Sequence, residues 1–146
     1  MLLAAALLTP TGAAAQKSRS GAPNEASVAQ EARQTIAMIE WFYVQHRACP
    51  DPLKATELHD MEGALGDGFS VERQGQFTAI RGISMSMPWL YYVSPQHPDR
   101  CALWRKLDWD AMLVWRRHGG SAEWVVDPGD GSPERPPGPG FDEQQR

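Results

Sequence analysis

The chain has 146 residues, with 14 Lys and Arg against 18 Asp and Glu and a net charge of −4 at pH 7. This length corresponds to one domain with tails, and the mildly acidic balance argues against nucleic acid as a partner, since phosphate binding requires a clustered positive field. Basic residues do cluster between Arg105 and His118, but they are interleaved with tryptophans. Amphipathic sheet faces share that pattern, and we interpret it as structural.

The first fifteen residues are typical of an export signal. Leu2 begins a short apolar run that ends at Leu8, and three alanines at 13–15 supply the small residues that a signal peptidase reads before Gln16. The run is too short to span a bilayer, so no transmembrane segment is expected in the mature chain. A disordered Ala-rich terminus is the alternative. We expect a periplasmic or secreted protein.

Composition divides the chain into four segments. Residues 1–15 are predicted to be the signal peptide, and residues 16–23, which are small and polar, a linker. Residues 128–146 are dominated by Pro and Gly, with Phe141 as almost the only apolar side chain, so a disordered tail is predicted there. Residues 24–127 then form a single globular domain.

A long helix is predicted at the start of this domain. Asn24 offers an N-cap, and Ser27 followed by Gln30 offers an alternative capping box. The apolar residues that recur at steps of three and four along it are Val28, Ala32, Ile36, Ile39 and Tyr43. The helix is expected to end before Pro50, because the residue that precedes a proline is driven out of the helical region.

A hairpin is predicted near the end of the domain. Gly119 and Gly120 separate two apolar segments and suit a tight turn that requires positive φ. With these glycines as the loop, the opposed pairs are Arg116–Glu123, Trp115–Trp124, Val114–Val125 and Leu113–Val126. This register pairs opposite charges and stacks two tryptophans, and each such pair contributes about 0.2–1 kcal/mol.

A second hairpin is predicted around Gly75, with two possible registers. If Gln74 and Gly75 form the loop, Phe69 lies opposite Ile80, whereas a loop of Gly75 and Gln76 places Val71 there. The apolar segment at residues 88–93, bounded by two prolines, is typical of a central strand.

Residues 99–107 are predicted to form a short helix, with Asp99 as its cap. Together the elements predict an α+β fold. In it a long N-terminal helix packs on an antiparallel sheet of four or five strands, and a short second helix precedes the C-terminal hairpin.

The chain contains two cysteines, Cys49 and Cys101. In an exported protein they are predicted to form one disulfide, which would join the end of the first helix to the start of the second; two free thiols are the alternative. Redox chemistry is not expected, because it favours Cys-x-x-Cys spacing. The order of elements resembles the globular head of type IV pilin-like proteins, in which a helix lies along an antiparallel sheet. The resemblance implies a fold and no function.

No pattern in the sequence indicates catalysis, and we predict a protein without enzymatic activity or cofactor. The four histidines include no pair at the spacing of a helical zinc site. Met85 and Met87 form a Met-x-Met motif, and thioethers are soft ligands that suit Cu(I). The same residues also alternate as one apolar face of a strand does, so core packing is the favoured interpretation and copper or small-ligand binding the alternative.

Trp104, Arg105 and Trp109 are the candidate partner surface. Exposed tryptophan beside arginine is typical of interaction hot spots. The other interpretation, which the sequence favours, is that the tryptophans cover the far face of the sheet. The sequence therefore predicts a small exported binding or structural protein that acts through a protein or envelope partner.

Overall fold

The computed structural model of the chain describes residues 24–142, which form three helices and six strands. The helices are α1 (Glu25–Glu31), α2 (Arg33–His46) and α3 (Ala55–Leu65). The strands are β1 (Phe69–Gln74), β2 (Phe77–Gly82), β3 (Trp89–Val93), β4 (Arg100–Lys106), β5 (Met112–His118) and β6 (Ser121–Asp127). The predicted signal peptide and linker, residues 1–23, lie outside the described residues.

The six strands form one antiparallel meander, in which each strand pairs with the next along the chain. The predicted register of the β5–β6 hairpin is confirmed, with Arg116 opposite Glu123 and Trp115 opposite Trp124. Gly119 has a φ of 58° in the turn, a left-handed conformation that glycine adopts without steric cost.

The β1–β2 hairpin adopts the second of its two possible registers. Val71 lies opposite Ile80, and Gln74 opposite Phe77, so Gly75 and Gln76 form the loop. Gly75 has a φ of 65°, which fits a two-residue hairpin turn.

The helices cover one face of the sheet, and the core lies between the two layers. Trp89 and Tyr91 of β3 and Leu103 of β4 are completely buried on this face, in one cluster with Ile39 of α2 and Met61 of α3. Complete burial of an aliphatic or aromatic side chain contributes about 1.5–3 kcal/mol, so this cluster dominates the attraction between the layers.

Two buried arginines join the helices to the sheet. Arg105 of β4 donates to the carboxylate of Glu31 in α1, and also to the Ser86 hydroxyl at 3.1 Å. Arg117 of β5 donates to the carboxylate of Glu40 in α2. The two arginines are only 6% and 7% exposed, and burying such charges is costly unless they are paired.

The predicted disulfide between Cys49 and Cys101 is present, with a Cα–Cα distance of 6.2 Å. It joins the segment after α2 to β4, and both cysteines are buried. A second tie lies beside it, where the Tyr91 hydroxyl donates to the carbonyl oxygen of Pro50 at 2.8 Å. Burial raises the pKa of Tyr91 well above its ordinary value, so this hydroxyl keeps its proton.

The predicted fold was wrong in its elements. The single long helix divides at Ala32, whose N–H donates back to the carbonyl of Ala29 at 3.1 Å and ends α1 in a tight turn. The helix predicted at residues 99–107 is instead strand β4, which raises the sheet to six strands. The sequence interpretation also missed α3. The resemblance to pilin heads depended on the long helix, so this fold does not support it.

Strand β4 replaces the predicted helix because it has a hydrogen-bonding partner on each side, β3 and β5. Asp99 does not cap a helix: its carbonyl oxygen accepts a hydrogen bond from the Gly119 N–H at 3.0 Å, next to the β5–β6 turn.

Residues 128–142, expected to belong to a disordered tail, make specific contacts with the domain. Arg135 exchanges two backbone hydrogen bonds with Val126 of β6, at 2.8 and 3.0 Å. Phe141 is buried, and its ring centroid lies 5.6 Å from that of Trp124. Packing therefore extends beyond the boundary expected at residue 127.

Candidate functional site

The sheet has a second face, which points away from the helices, and no helix among residues 24–142 covers it. We call it the open face. Side chains alternate along a strand, so the open face is formed by the residues that alternate with the core residues of each strand. Two residues of this face, Ala79 and Val125, are nevertheless buried. Its central side chains are Phe77, Leu90, Tyr92, Ala102, Trp104, Met112 and Val114.

An aromatic cluster lies at the centre of the open face. The Phe77 ring meets Trp104 edge to face, with centroids 5.1 Å apart, and meets Tyr92 at 6.0 Å. All three side chains are half-buried. Such edge-to-face pairs contribute about 0.5–1.5 kcal/mol beyond the burial of their area. The cluster is therefore held in place by its own contacts and still presents apolar surface.

Cationic side chains border this cluster. Arg81, Arg100 and Lys106 are exposed on the open face, and none of them has an ion-pair partner within the described residues. Arg116 differs, because it pairs with Glu123 and Glu134, each at 2.8 Å. The open face thus combines an apolar centre with a rim on which, among the described residues, three unpaired cations outnumber one unpaired acid, Glu72 of β1.

The three residues predicted as a partner surface do not lie on one face of the sheet. Trp104 lies on the open face, whereas Arg105 is buried on the helix-covered face against Glu31. Trp109 lies in the turn between β4 and β5 and is 90% exposed. Only Trp104 belongs to the open face, because neighbouring residues of a strand point in opposite directions.

The two methionines of the Met-x-Met motif have different surroundings. Met85 is buried, and its sulfur accepts a hydrogen bond from the Gly82 N–H at 3.0 Å, whereas Met87 is 40% exposed. The Met85 sulfur is therefore used in packing the β2–β3 connection. Within residues 24–142, no three His, Cys, Asp or Glu side chains group as metal ligands would.

The sequence interpretation missed Phe77 and Tyr92 as site residues, although it placed both on strands. A usable signal was present, since Leu90 and Tyr92 alternate with Trp89 and Tyr91 in one short strand. A strand that is apolar on both faces needs a cover on both, and the described chain covers only one.

Comparison with protein-family models, with curated proteins and with solved structures returns no match. Within residues 24–142, no helix is both long enough and apolar enough to cross a bilayer.

Proposed function

We propose that this protein is a small exported binding protein without catalytic activity, which works in the periplasm or outside the cell. Its open face binds a partner protein that presents an apolar centre and an acidic rim. The observation that carries the proposal is the aromatic cluster of Phe77, Tyr92 and Trp104, on a sheet face that no described helix covers.

Two features support export. The first fifteen residues have the apolar run and small-residue triplet of a signal peptide. The disulfide between Cys49 and Cys101 is typical of proteins that work in an oxidising compartment.

The composition of the open face supports protein binding. Aromatic side chains and arginine are enriched at protein interfaces, and binding energy concentrates on a few of them near the centre. Trp104 holds that central position, since it lies on β4 opposite Leu90 on one side and Val114 on the other. The unpaired Arg81, Arg100 and Lys106 favour acidic partners, because complementary charge steers association.

Site-specific photocrosslinking in cells tests the proposal. A photoreactive p-benzoylphenylalanine replaces Val114 on the open face, and in a matched control replaces Glu62, which is exposed on α3. We expect one discrete adduct from position 114, none from position 62, and loss of the adduct when Trp104→Ser is added. Equal labelling from both positions, or an adduct that Trp104→Ser leaves unchanged, would refute binding through the open face.

Export is tested separately, by expressing the full chain with a C-terminal tag in a bacterial host. The expected product is found outside the cytoplasm and begins at Gln16, as determined by N-terminal sequencing. A product that keeps Met1 and remains in the cytoplasm would contradict the export part of the proposal. It would not test binding through the open face.

A further inference from the structure

A hollow lies at one end of the open face, where β3, β4 and β5 meet. It has a volume of about 270 Å³, and the side chains around it on the open face are Tyr92, Ser94, Arg100, Ala102, Arg116 and His118. Ligand pockets for drug-sized molecules have volumes of about 300–1,000 Å³. The hollow is therefore the right size for one small chemical group.

The strand registers explain why the hollow exists. Tyr92, Ala102 and Arg116 lie side by side on three neighbouring strands. Ala102 is the small residue in this row, so its methyl group forms a floor between two much larger side chains. In the next row, Arg100 lies opposite His118, and directly opposed side chains have Cβ atoms about 4.5–5.5 Å apart.

The positive charge of Arg100, unlike that of Arg116, is not neutralised by an acidic side chain among the described residues. Neither Arg100 nor His118 has a side-chain hydrogen bond or ion pair within the described residues. The carboxylate that lies near this turn, that of Asp99, is beside Gly119 and does not line the hollow. A bound anion would give the Arg100 guanidinium the charged partner that the described residues do not supply.

Ser94 adds a hydrogen-bond donor. Its hydroxyl oxygen accepts from the His97 N–H at 3.2 Å, so the hydroxyl proton is free to donate. Arg116 contributes differently, because its guanidinium is engaged by Glu123 and Glu134. Its aliphatic stem forms a wall of the hollow, and Tyr92 forms the wall opposite.

We propose that this hollow binds an oxyanion, either a carboxylate or a phosphate, that is attached to a small flat apolar group, the apolar body of the ligand. Arg100 binds the oxyanion, His118 and Ser94 donate further hydrogen bonds, and the apolar body rests on Ala102 against Tyr92. The inference rests on the proposed function, since the hollow lies at one end of the open face and would receive an acidic group of the partner. Guanidinium groups suit both oxyanions because they donate two parallel hydrogen bonds.

The test uses the purified protein at pH 7 and follows backbone amide shifts by NMR during titration with benzoate, phenyl phosphate and benzyl alcohol. We expect saturable shifts around Ala102 with at least one of the two anions and none with the neutral alcohol. Preference for benzoate assigns a carboxylate, and preference for phenyl phosphate assigns a phosphate.

Three variants separate this site from a general charge effect. Arg100→Gln should weaken binding about tenfold or more, the order expected for a hydrogen bond to a charged group. Ala102→Leu should abolish binding by filling the hollow without changing the charge. Arg33→Gln removes an exposed cation from α2, on the other side of the sheet, and should change the affinity less than twofold.

The inference is overturned if neither anion gives saturable shifts, if Arg33→Gln weakens binding as much as Arg100→Gln, or if Ala102→Leu binds normally. Inorganic phosphate that binds as tightly as phenyl phosphate would also overturn it, since the apolar body would then contribute nothing. If the NMR titration gives no shifts but the Trp104-dependent adduct forms, only the oxyanion site is refuted. If an anion binds but no adduct forms, only the binding of a partner protein is refuted.

Discussion

Removal of the Cys49–Cys101 disulfide should cost about 4 kcal/mol of folding stability. The two cysteines are separated by 52 residues, and the entropy of closing a loop of that length in the unfolded chain corresponds to about 4 kcal/mol at 25 °C. The total stability of a domain is about 5–15 kcal/mol, so the reduced protein should be much closer to unfolding. At a urea m-value of about 2 kcal/mol/M, the midpoint should fall by about 2 M.

Urea unfolding of three samples measures this effect: the oxidised protein, the protein reduced with dithiothreitol, and the Cys49→Ala, Cys101→Ala double variant. The reduced protein and the variant lose the same cross-link, but only the variant also loses the packing of two buried sulfur atoms. We therefore expect the reduced protein to be intermediate. A reduced protein as stable as the oxidised one would refute the entropic reasoning, and a variant more stable than the reduced protein would contradict a stabilising contribution from the packing of the sulfur atoms.

Two further predictions concern charged contacts. Glu31→Gln should destabilise the domain by about 2 kcal/mol in urea unfolding, because it leaves the buried Arg105 without its carboxylate. This cost is lower than the roughly 3–5 kcal/mol for breaking a fully buried pair, since Glu31 is partly exposed. An Arg105→Met, Glu31→Leu variant should recover most of that loss, and one less stable than Glu31→Gln would contradict the argument. Burial opposes ionisation of Glu25, but hydrogen bonds from Arg135 and the Gly138 N–H outweigh it and lower the pKa below the ordinary value of 4.5. This contact should therefore hold residues 135–138 in place at pH values above 4.5 and release them as the pH falls through the lowered pKa. A titration of the Gly138 amide signal with a midpoint at or above pH 4.5 would contradict this prediction.

The C-terminal hairpin was predictable because its information is local. Two glycines fix the turn, and each pair of residues that follows is close in sequence, so the register can be checked by counting. Arg116 and Glu123 are only seven residues apart and form an ion pair at 2.8 Å. The β1–β2 hairpin lacked a charged pair of this kind, which is why the residues alone left two registers open.

Strand β4 was misread because its identity depends on partners that are distant in sequence. Its inward residues are Cys101, Leu103 and Arg105, and a buried arginine breaks the alternation of apolar and polar residues that marks a strand. Arg105 is acceptable there only because Glu31, 74 residues away, neutralises it. No local pattern contains that information.

The error in β4 also changed the predicted site. The sequence interpretation grouped Trp104, Arg105 and Trp109 by composition, because exposed tryptophan beside arginine is typical of interaction hot spots. On a strand, Trp104 and Arg105 point to opposite faces, and Trp109 lies beyond the strand in a turn. The site therefore moved from three residues of one segment to an aromatic cluster that spans β2, β3 and β4, which requires the sheet order to be known.

The open face contains two neighbouring arrangements that differ in what they contribute to stability. Arg116 opposite Glu123 is the cross-strand pair that stability favours. One step along the same strand, His118 lies opposite Arg100, and Ala102 leaves space where a larger apolar residue would pack. Arg100 without an acidic partner among the described residues and the space above Ala102 coincide in one hollow beside half-buried aromatic rings. A surface that serves only to cover a sheet has no reason to combine these features, whereas a surface that binds an anionic group of a partner requires all of them.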